Sequence, residues 1–220
     1  MKKVVGEIIE RVFINSNYLL KIGVKEKINF IPGQFVNIEV DGVVRSYSIA
    51  SLPDEEFLLF YIKRVPNGIL SNKLATISLG SKVHLYGPFG HMTVDKIFKN
   101  KVYFVAAGTG IAPVRPMVYW LYKNKPNVER FVIHQEKHEK YLVFKDDFER
   151  WATDYIPIIS RQEDTQYLKG HFQDYIHKFV DMDANYVLIG SANFVINIYK
   201  LLQDMKIPRE NMILESFGNI

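Results

Sequence analysis

The sequence predicts two domains in tandem: an all-β domain of antiparallel barrel or sandwich type, then an α/β domain on a doubly wound parallel sheet. Three observations carry this. Short alternating apolar runs broken by Gly and Pro extend to about residue 95, the rhythm changes after Asn100, and from there continuous apolar runs alternate with helical stretches.

In the first half, runs such as Phe35–Val40 and Phe57–Ile62 read as strands. They are punctuated at Pro32-Gly33, Asp41-Gly42, Pro53-Asp54, Asn67-Gly68 and Gly87-Pro88, the spacing of a many-stranded antiparallel sheet. Only Ser71 to Thr76 reads as a short helix there. In the second half Val102–Ala107 is apolar throughout, as a strand buried on both faces requires, and it runs into a Gly-rich turn and a helix over Pro113 to Asn124. Further strands are expected at Phe131–Ile133, Ile156–Ile159, Tyr186–Ile189 and Met212–Leu214, with helices over Asp146–Ala152, His171–Val180 and Ala192–Met205. That alternation implies parallel βαβ units. Lys96, Lys99, Asn100 and Lys101 mark the boundary, dividing the chain into 1–97 and 98–220.

Composition narrows the function. Of 220 residues 48% are hydrophobic and 24% charged, ordinary globular values, and the net charge of +4 comes with no basic run interleaved with aromatics. A nucleic-acid groove is therefore not expected, while a weakly positive surface suits an acidic protein partner. The absence of cysteine excludes disulfides, thiolate nucleophiles and Cys-ligated iron-sulfur or zinc centres from this chain, so any iron-sulfur relay lies elsewhere. Glu7, Glu10 and Arg11 interrupt the N-terminus before a signal core can form, and no apolar run reaches membrane-spanning length. The chain reads as cytoplasmic and unanchored.

Gly108-Thr109-Gly110-Ile111-Ala112-Pro113 follows the first parallel strand and opens a helix, where N–H groups and the macrodipole can face a pyrophosphate. Pro113 stands where a dinucleotide fingerprint has its third glycine, and proline suits a helix's first turn. The turn alone equally fits a tight strand-to-helix connection. Ser160-Arg161, past the strand Ile156–Ile159, pairs a hydroxyl with a guanidinium, as a 2′-phosphate wants, although the pair alone also fits a solvent-facing loop. Gly190-Ser191 puts a small residue at the end of a later strand, where a ligand or chain can pass close. Arg115 opposes the dipole of its helix start and is expected to meet a phosphate. His134 and His138 are four apart, but His134 ends a strand, so the helical metal-pair geometry fails and no metal is expected.

Arg45-Ser46-Tyr47-Ser48 and Gly108 to Pro113, with Gly87-Pro88-Phe89-Gly90 late in the β half and Glu215-Ser216-Phe217 closing the last strand, resemble the ferredoxin-NADP reductase superfamily. The match is ordered and covers almost the whole chain. It implies an FAD-binding β-barrel followed by a nicotinamide-nucleotide domain. By the same resemblance Arg45 would hold the flavin pyrophosphate, Ser46 would belong to the cofactor-binding set, Tyr47 would lie beside the isoalloxazine or ribityl chain, and Ser48 near flavin N5. Tyr61-Ile62-Lys63 would supply adenine-side contacts, and Gly68, Leu70 and Ser71 a helix start for the pyrophosphate. Gly108, Thr109, Gly110, Pro113, Ser160, Arg161 and Gly190 would hold NADPH or NADH, with Glu215 near the nicotinamide. Phe217 or Phe89 is a stacking candidate, the chain closing at Ile220.

The implied activity is hydride transfer from NADPH, or NADH, to bound FAD, then electron transfer to a separate acceptor of ferredoxin or flavodoxin type, with Ser48 and Glu215 tuning the site. Two other readings remain: a reductase of free flavin, and a non-catalytic flavin-binding subunit of a larger complex. One departure stands out. Where many relatives carry Cys-Gly before the last helix, this chain has Ile189-Gly190.

Overall fold

The computed structural model describes residues 2–217, in two units, Met1–Thr93 and Val94–Ile220. The division falls slightly ahead of the expected 97/98. Val94–Lys96 forms a 3-10 turn, and the N–H groups of Phe98 and Lys99 donate to Asn185 Oδ1 at 2.9 and 2.8 Å, tying this segment to the second unit.

The first unit contains β1 (Lys2–Ile14), β2 (Asn17–Val24), β3 (Phe35–Val40), β4 (Val43–Ser48), β5 (Phe57–Lys63), α1 (Ile69–Thr76) and β6 (Lys82–Phe89). The strands form one antiparallel sheet in the order β4-β3-β6-β1-β2-β5. Just past the edge strand β4, the N–H of Ala50 donates to Leu59 O in the other edge strand at 2.8 Å, which curls the sheet into a barrel. In β3 the burial alternates, with Val36, Ile38 and Val40 inside, and these meet Ile8, Leu20, Ile22, Phe60 and Leu85 in the core. The Leu70–Leu74 face of α1 packs into the same cluster.

The second unit contains β7 (Lys101–Ala107), α2 (Ile111–Asn124), β8 (Glu129–Glu136), α3 (Lys145–Trp151), β9 (Asp154–Ile159), β10 (Leu168–Lys169), α4 (Phe172–Tyr175), β11 (Asn185–Ser191), α5 (Ala192–Asp204) and β12 (Met212–Phe217). All pairings are parallel, in the order β10-β9-β8-β7-β11-β12. The central strands β7 and β11 are buried along almost their whole length, which is why they read as unbroken apolar runs. Two details differ from expectation. The two-residue strand β10 is too short to show a period, and the 171–180 segment is one α-turn, α4, followed by the 3-10 turn Ile176–Phe179. No helix among the described residues is long and apolar enough to cross a membrane.

His134 lies inside β8, which continues to Glu136, and is wholly buried. Its Nδ1 shares a 2.9 Å hydrogen bond with the Tyr155 hydroxyl, and the Glu136 carboxylate lies 4.0 Å from Nε2. Burial dominates and holds the imidazole down at about 3, from an ordinary 6.5. The native imidazole thus refuses a proton that the unfolded chain accepts below 6.5. Stability should fall as pH drops from there toward about 3, by roughly 1.4 kcal/mol per pH unit from this group. Urea unfolding at pH 7 and pH 5 is expected to show that loss in the wild type and a shallower one in His134→Leu. Equal slopes would assign the pH sensitivity to other groups.

Candidate functional site

Edge strand β4 carries the first set of candidate residues. Its register against β3 pairs Ile38 with Arg45 and Val36 with Tyr47, so Arg45 and Tyr47 share the barrel's core-side face, while Ser46 and Ser48 take the alternate positions. Arg45 is exposed and donates to its neighbour's carbonyl, Val44 O, at 2.7 Å. Tyr47 is half-buried with its ring edge-on to Phe60, centroids 6.5 Å apart. Burial pushes its phenol up to about 12, partly countered by the Arg45 charge, so the hydroxyl stays protonated and able to donate. Ser46 Oγ donates to Asn37 Oδ1 at 2.7 Å, and Ser48 closes the strand half-buried opposite Phe35.

Helix α1 packs on β4, and Lys73 of the helix pairs with Asp41 in the β3–β4 turn. Asn67, in the left-handed region at φ 59°, brings the chain to Gly68, the N-cap. A Cβ on Gly68 would sit 2.7 Å from Ser71 Oγ, so a side chain here would crowd the helix start. No side chain caps that start, and its first turn holds no acid. A diphosphate needs N–H donors and a compensating cation, and the α1 start on the β4 side of the barrel, with Arg45 on β4, offers both. Leu70 and Ser71 are buried, and Ser71 Oγ accepts from the Val65 N–H at 3.2 Å, so what these two can offer a ligand is backbone. Of the trio expected to give adenine-side contacts, Tyr61 and Ile62 offer almost no side-chain surface. Their side chains are 4% and 1% exposed, both faces of β5 being covered, and the Tyr61 hydroxyl accepts from Asn17 Nδ2 at 2.9 Å. Lys63 alone of that trio is exposed. Sequence reasoning missed Asn72, whose amide donates to Val65 O at 2.9 Å and to Gly68 O and so holds the turn entering α1. An Asn in the first turns of a helix was the available signal.

In the second unit, Gly108 takes φ +58° and the 3-10 turn Gly108–Gly110 feeds α2, with Pro113 in its first turn. A Cβ on Gly110 would lie 2.7 Å from Ile189 O, so only glycine lets the start of α2 rest against β11. Gly190 is equally tight, its Cβ position 2.9 Å from a Phe194 ring carbon. The strand order changes direction here, with β8 on one side of β7 and β11 on the other. The Gly108–Gly110 turn and Gly190 therefore flank the switch-point crevice at the carboxyl ends of β7 and β11. This α2 start also lacks a capping side chain and an acid in its first turn. Glu215 stands in register with Ile189, and Phe217 with Ser191, on the strand next to that crevice.

Ser160 and Arg161 follow β9, held by N–H bonds to Glu136 O and Lys137 O at 2.9 Å each. The Ser160 hydroxyl donates to the same Glu136 oxygen at 3.3 Å, and Arg161 is exposed. Being two strands over from β7, they lie about 10 Å across the sheet from the Gly108 turn. Arg115, expected at a phosphate, is engaged by protein groups. It is 9% exposed, donates from Nε to Asp147 Oδ2 at 2.6 Å, and lies over the rings of Phe144 and Trp151, so it locks α2 to α3. Of the stacking candidates, Phe89 packs against Phe35 with centroids 5.9 Å apart, and Phe217 is half-buried at the end of β12.

Both halves match known proteins. Residues 8–94 match the oxidoreductase FAD-binding domain family, and residues 104–195 the oxidoreductase NAD-binding domain family. Flavohemoprotein A of Dictyostelium discoideum is 27% identical over 209 residues, covering 86% of this chain and 53% of its own length. The glycine betaine monooxygenase reductase subunit of Pseudomonas aeruginosa is 35% identical over 130 residues, 56% of this chain and 36% of its own length. The chain thus spans about half the length, or less, of these curated relatives. A ferredoxin NADP+ reductase from Neisseria gonorrhoeae, solved with FAD and NADP, shares the fold with a TM-score of 0.85 at 18% identity, over 98% of this chain and 99% of that one. With an FAD-binding domain matched on the barrel and a NAD-binding domain on the parallel sheet, in that order, the chain belongs to the ferredoxin-NADP reductase superfamily.

Proposed function

We propose that this chain takes a hydride from NADPH, or NADH, onto FAD held by the barrel and passes the electrons to a separate acceptor protein of ferredoxin or flavodoxin type. The observation that carries this reading is the pair of helix starts, one in each unit, that are entered through glycine and left without a capping side chain or acid. The reductase subunit among the relatives supports a separate acceptor.

When bound, the flavin accepts the hydride's two electrons and can release them one at a time, the chemistry an electron-transfer chain needs. The protein's part is binding and orientation. Arg45 and the α1 amides neutralise and hydrogen-bond the flavin pyrophosphate, while Tyr47, kept neutral by burial, offers a flat ring and a hydroxyl donor. Ser48 and Glu215 tune the hydrogen bonding near the reacting rings. Ile189 in place of a thiol keeps that edge of the nicotinamide pocket apolar. NADPH is favoured over NADH because Ser160 and Arg161 match the 2′-phosphate in charge and donors.

Purified protein is expected to be yellow, to keep its flavin through gel filtration, and to bleach on anaerobic addition of NADPH. Retained flavin that NADPH cannot bleach would overturn the reading in favour of a non-catalytic subunit, and flavin lost on the column but reduced when added free would mark a free-flavin reductase. Arg161→Ala should lower the ratio of kcat/KM for NADPH over NADH by about tenfold or more, the scale of a lost charge-assisted phosphate contact. An unchanged ratio would remove the NADPH assignment.

A further inference from the structure

We propose that Arg11, re-aimed by a β-bulge at Ile9, is a positioning residue for FAD: it grips the carbonyl end of α1 and thereby aims the helix's N–H groups at the pyrophosphate. This rests on the reading of the barrel as the FAD site.

The first residues of β1 alternate, with Val4, Gly6 and Ile8 buried and Val5 and Ile9 exposed. Continued without interruption, that alternation would turn Glu10 toward the core and Arg11 toward solvent. The register against β2 shifts instead. Ile8 pairs with Ile22, but Glu10 then pairs with Lys21 and Arg11 with Leu20, leaving Ile9 as an extra residue. The phase inverts there. Glu10 meets Lys21 in an ion pair at 2.5 Å, and Arg11 joins the face of the wholly buried Leu20.

A cation on the core face needs acceptors, and the end of α1 supplies them. Arg11 Nε donates to Leu74 O at 2.9 Å and Nη2 to Ile77 O at 2.6 Å. A helix's last carbonyls have no partner within the helix and carry the negative end of its dipole, so one guanidinium both satisfies and offsets them. From β2, Tyr18, wholly buried, donates its hydroxyl to Ser71 O at 2.6 Å. Burial raises that phenol well above its ordinary range, so it remains a donor. Arg11 and Tyr18 thus pin α1 to the barrel wall through its carbonyls and leave its first-turn N–H groups uncommitted. A short helix fixed in this way presents those donors in one direction, and pre-set donors lower the ordering cost of binding.

A role confined to stability would touch every ligand of the barrel, whereas a role in aiming α1 touches only ligands with phosphate. Riboflavin shares the ring of FAD and lacks the pyrophosphate. Flavin-stripped full-length protein titrated with FAD and with riboflavin, by flavin fluorescence, separates the two. Arg11→Met should lose about tenfold in FAD affinity, the scale of one lost charged hydrogen bond, with riboflavin affinity unchanged. Arg11→Lys, able to reach one carbonyl, should recover part of the loss, and Tyr18→Phe should move FAD affinity in the same direction as Arg11→Met. Where Arg11→Met does not fold, Tyr18→Phe alone decides. Equal losses for FAD and riboflavin, or none for either, with a wild type that binds FAD, would overturn the inference and leave the FAD reading standing. A wild type that fails to bind FAD would overturn both.

Discussion

A diphosphate leaves water only for a site that replaces its hydration with donors already in place, and in the proposed reading those donors are backbone N–H groups at two helix starts. The other helices show how unusual these starts are. Ser191 caps α5 by accepting from Phe194 N at 3.4 Å, His171 and Asp174 form a capping box on α4, and α3 opens on Asp146 and Asp147. Only α1 and α2, among the described α-helices, have neither a capping side chain nor an acid in the first turn. A missing cap costs about 1 kcal/mol, which a phosphate bound there would recover.

Holding those starts in place constrains the rest. In the second unit the constraint is steric: Gly110 sits so close to Ile189 that a single methyl would collide with the β11 backbone, and Gly190 is closed off by Phe194. The turn is thereby pressed against the switch point of the sheet, where the connections from adjacent strands leave in opposite directions. In the barrel the constraint is polar, made of side-chain donors from β1 and β2 on the carbonyls of α1. One unit positions its helix start by close packing and the other by hydrogen bonds.

Much of this was legible in the sequence, for physical reasons. Strands buried on both faces, such as β7 and β11, must be apolar throughout, and the Gly108 turn must carry glycine, so both left unmistakable marks. Arg45 and Tyr47 were singled out by resemblance, and the common face that the register gives them follows from strand alternation. What stayed hidden depends on partners distant in the chain. Arg115 was expected at a phosphate because its helix position invites one, but Asp147, thirty-two residues on, takes its charge. Tyr61 looked available until both faces of β5 proved covered. The bulge at Ile9 is invisible locally, since an isoleucine there continues the alternation it breaks.

The central claim, that backbone amides at these two helix starts receive the phosphates, is tested most directly by amide NMR shifts of the labelled protein on adding FAD and NADP+. FAD should move the amides of Ile69, Leu70 and Ser71 most strongly, and NADP+ those of Thr109, Gly110, Ile111 and Ala112. Binding of either nucleotide that leaves its own set of amides unmoved and perturbs another region would contradict the account.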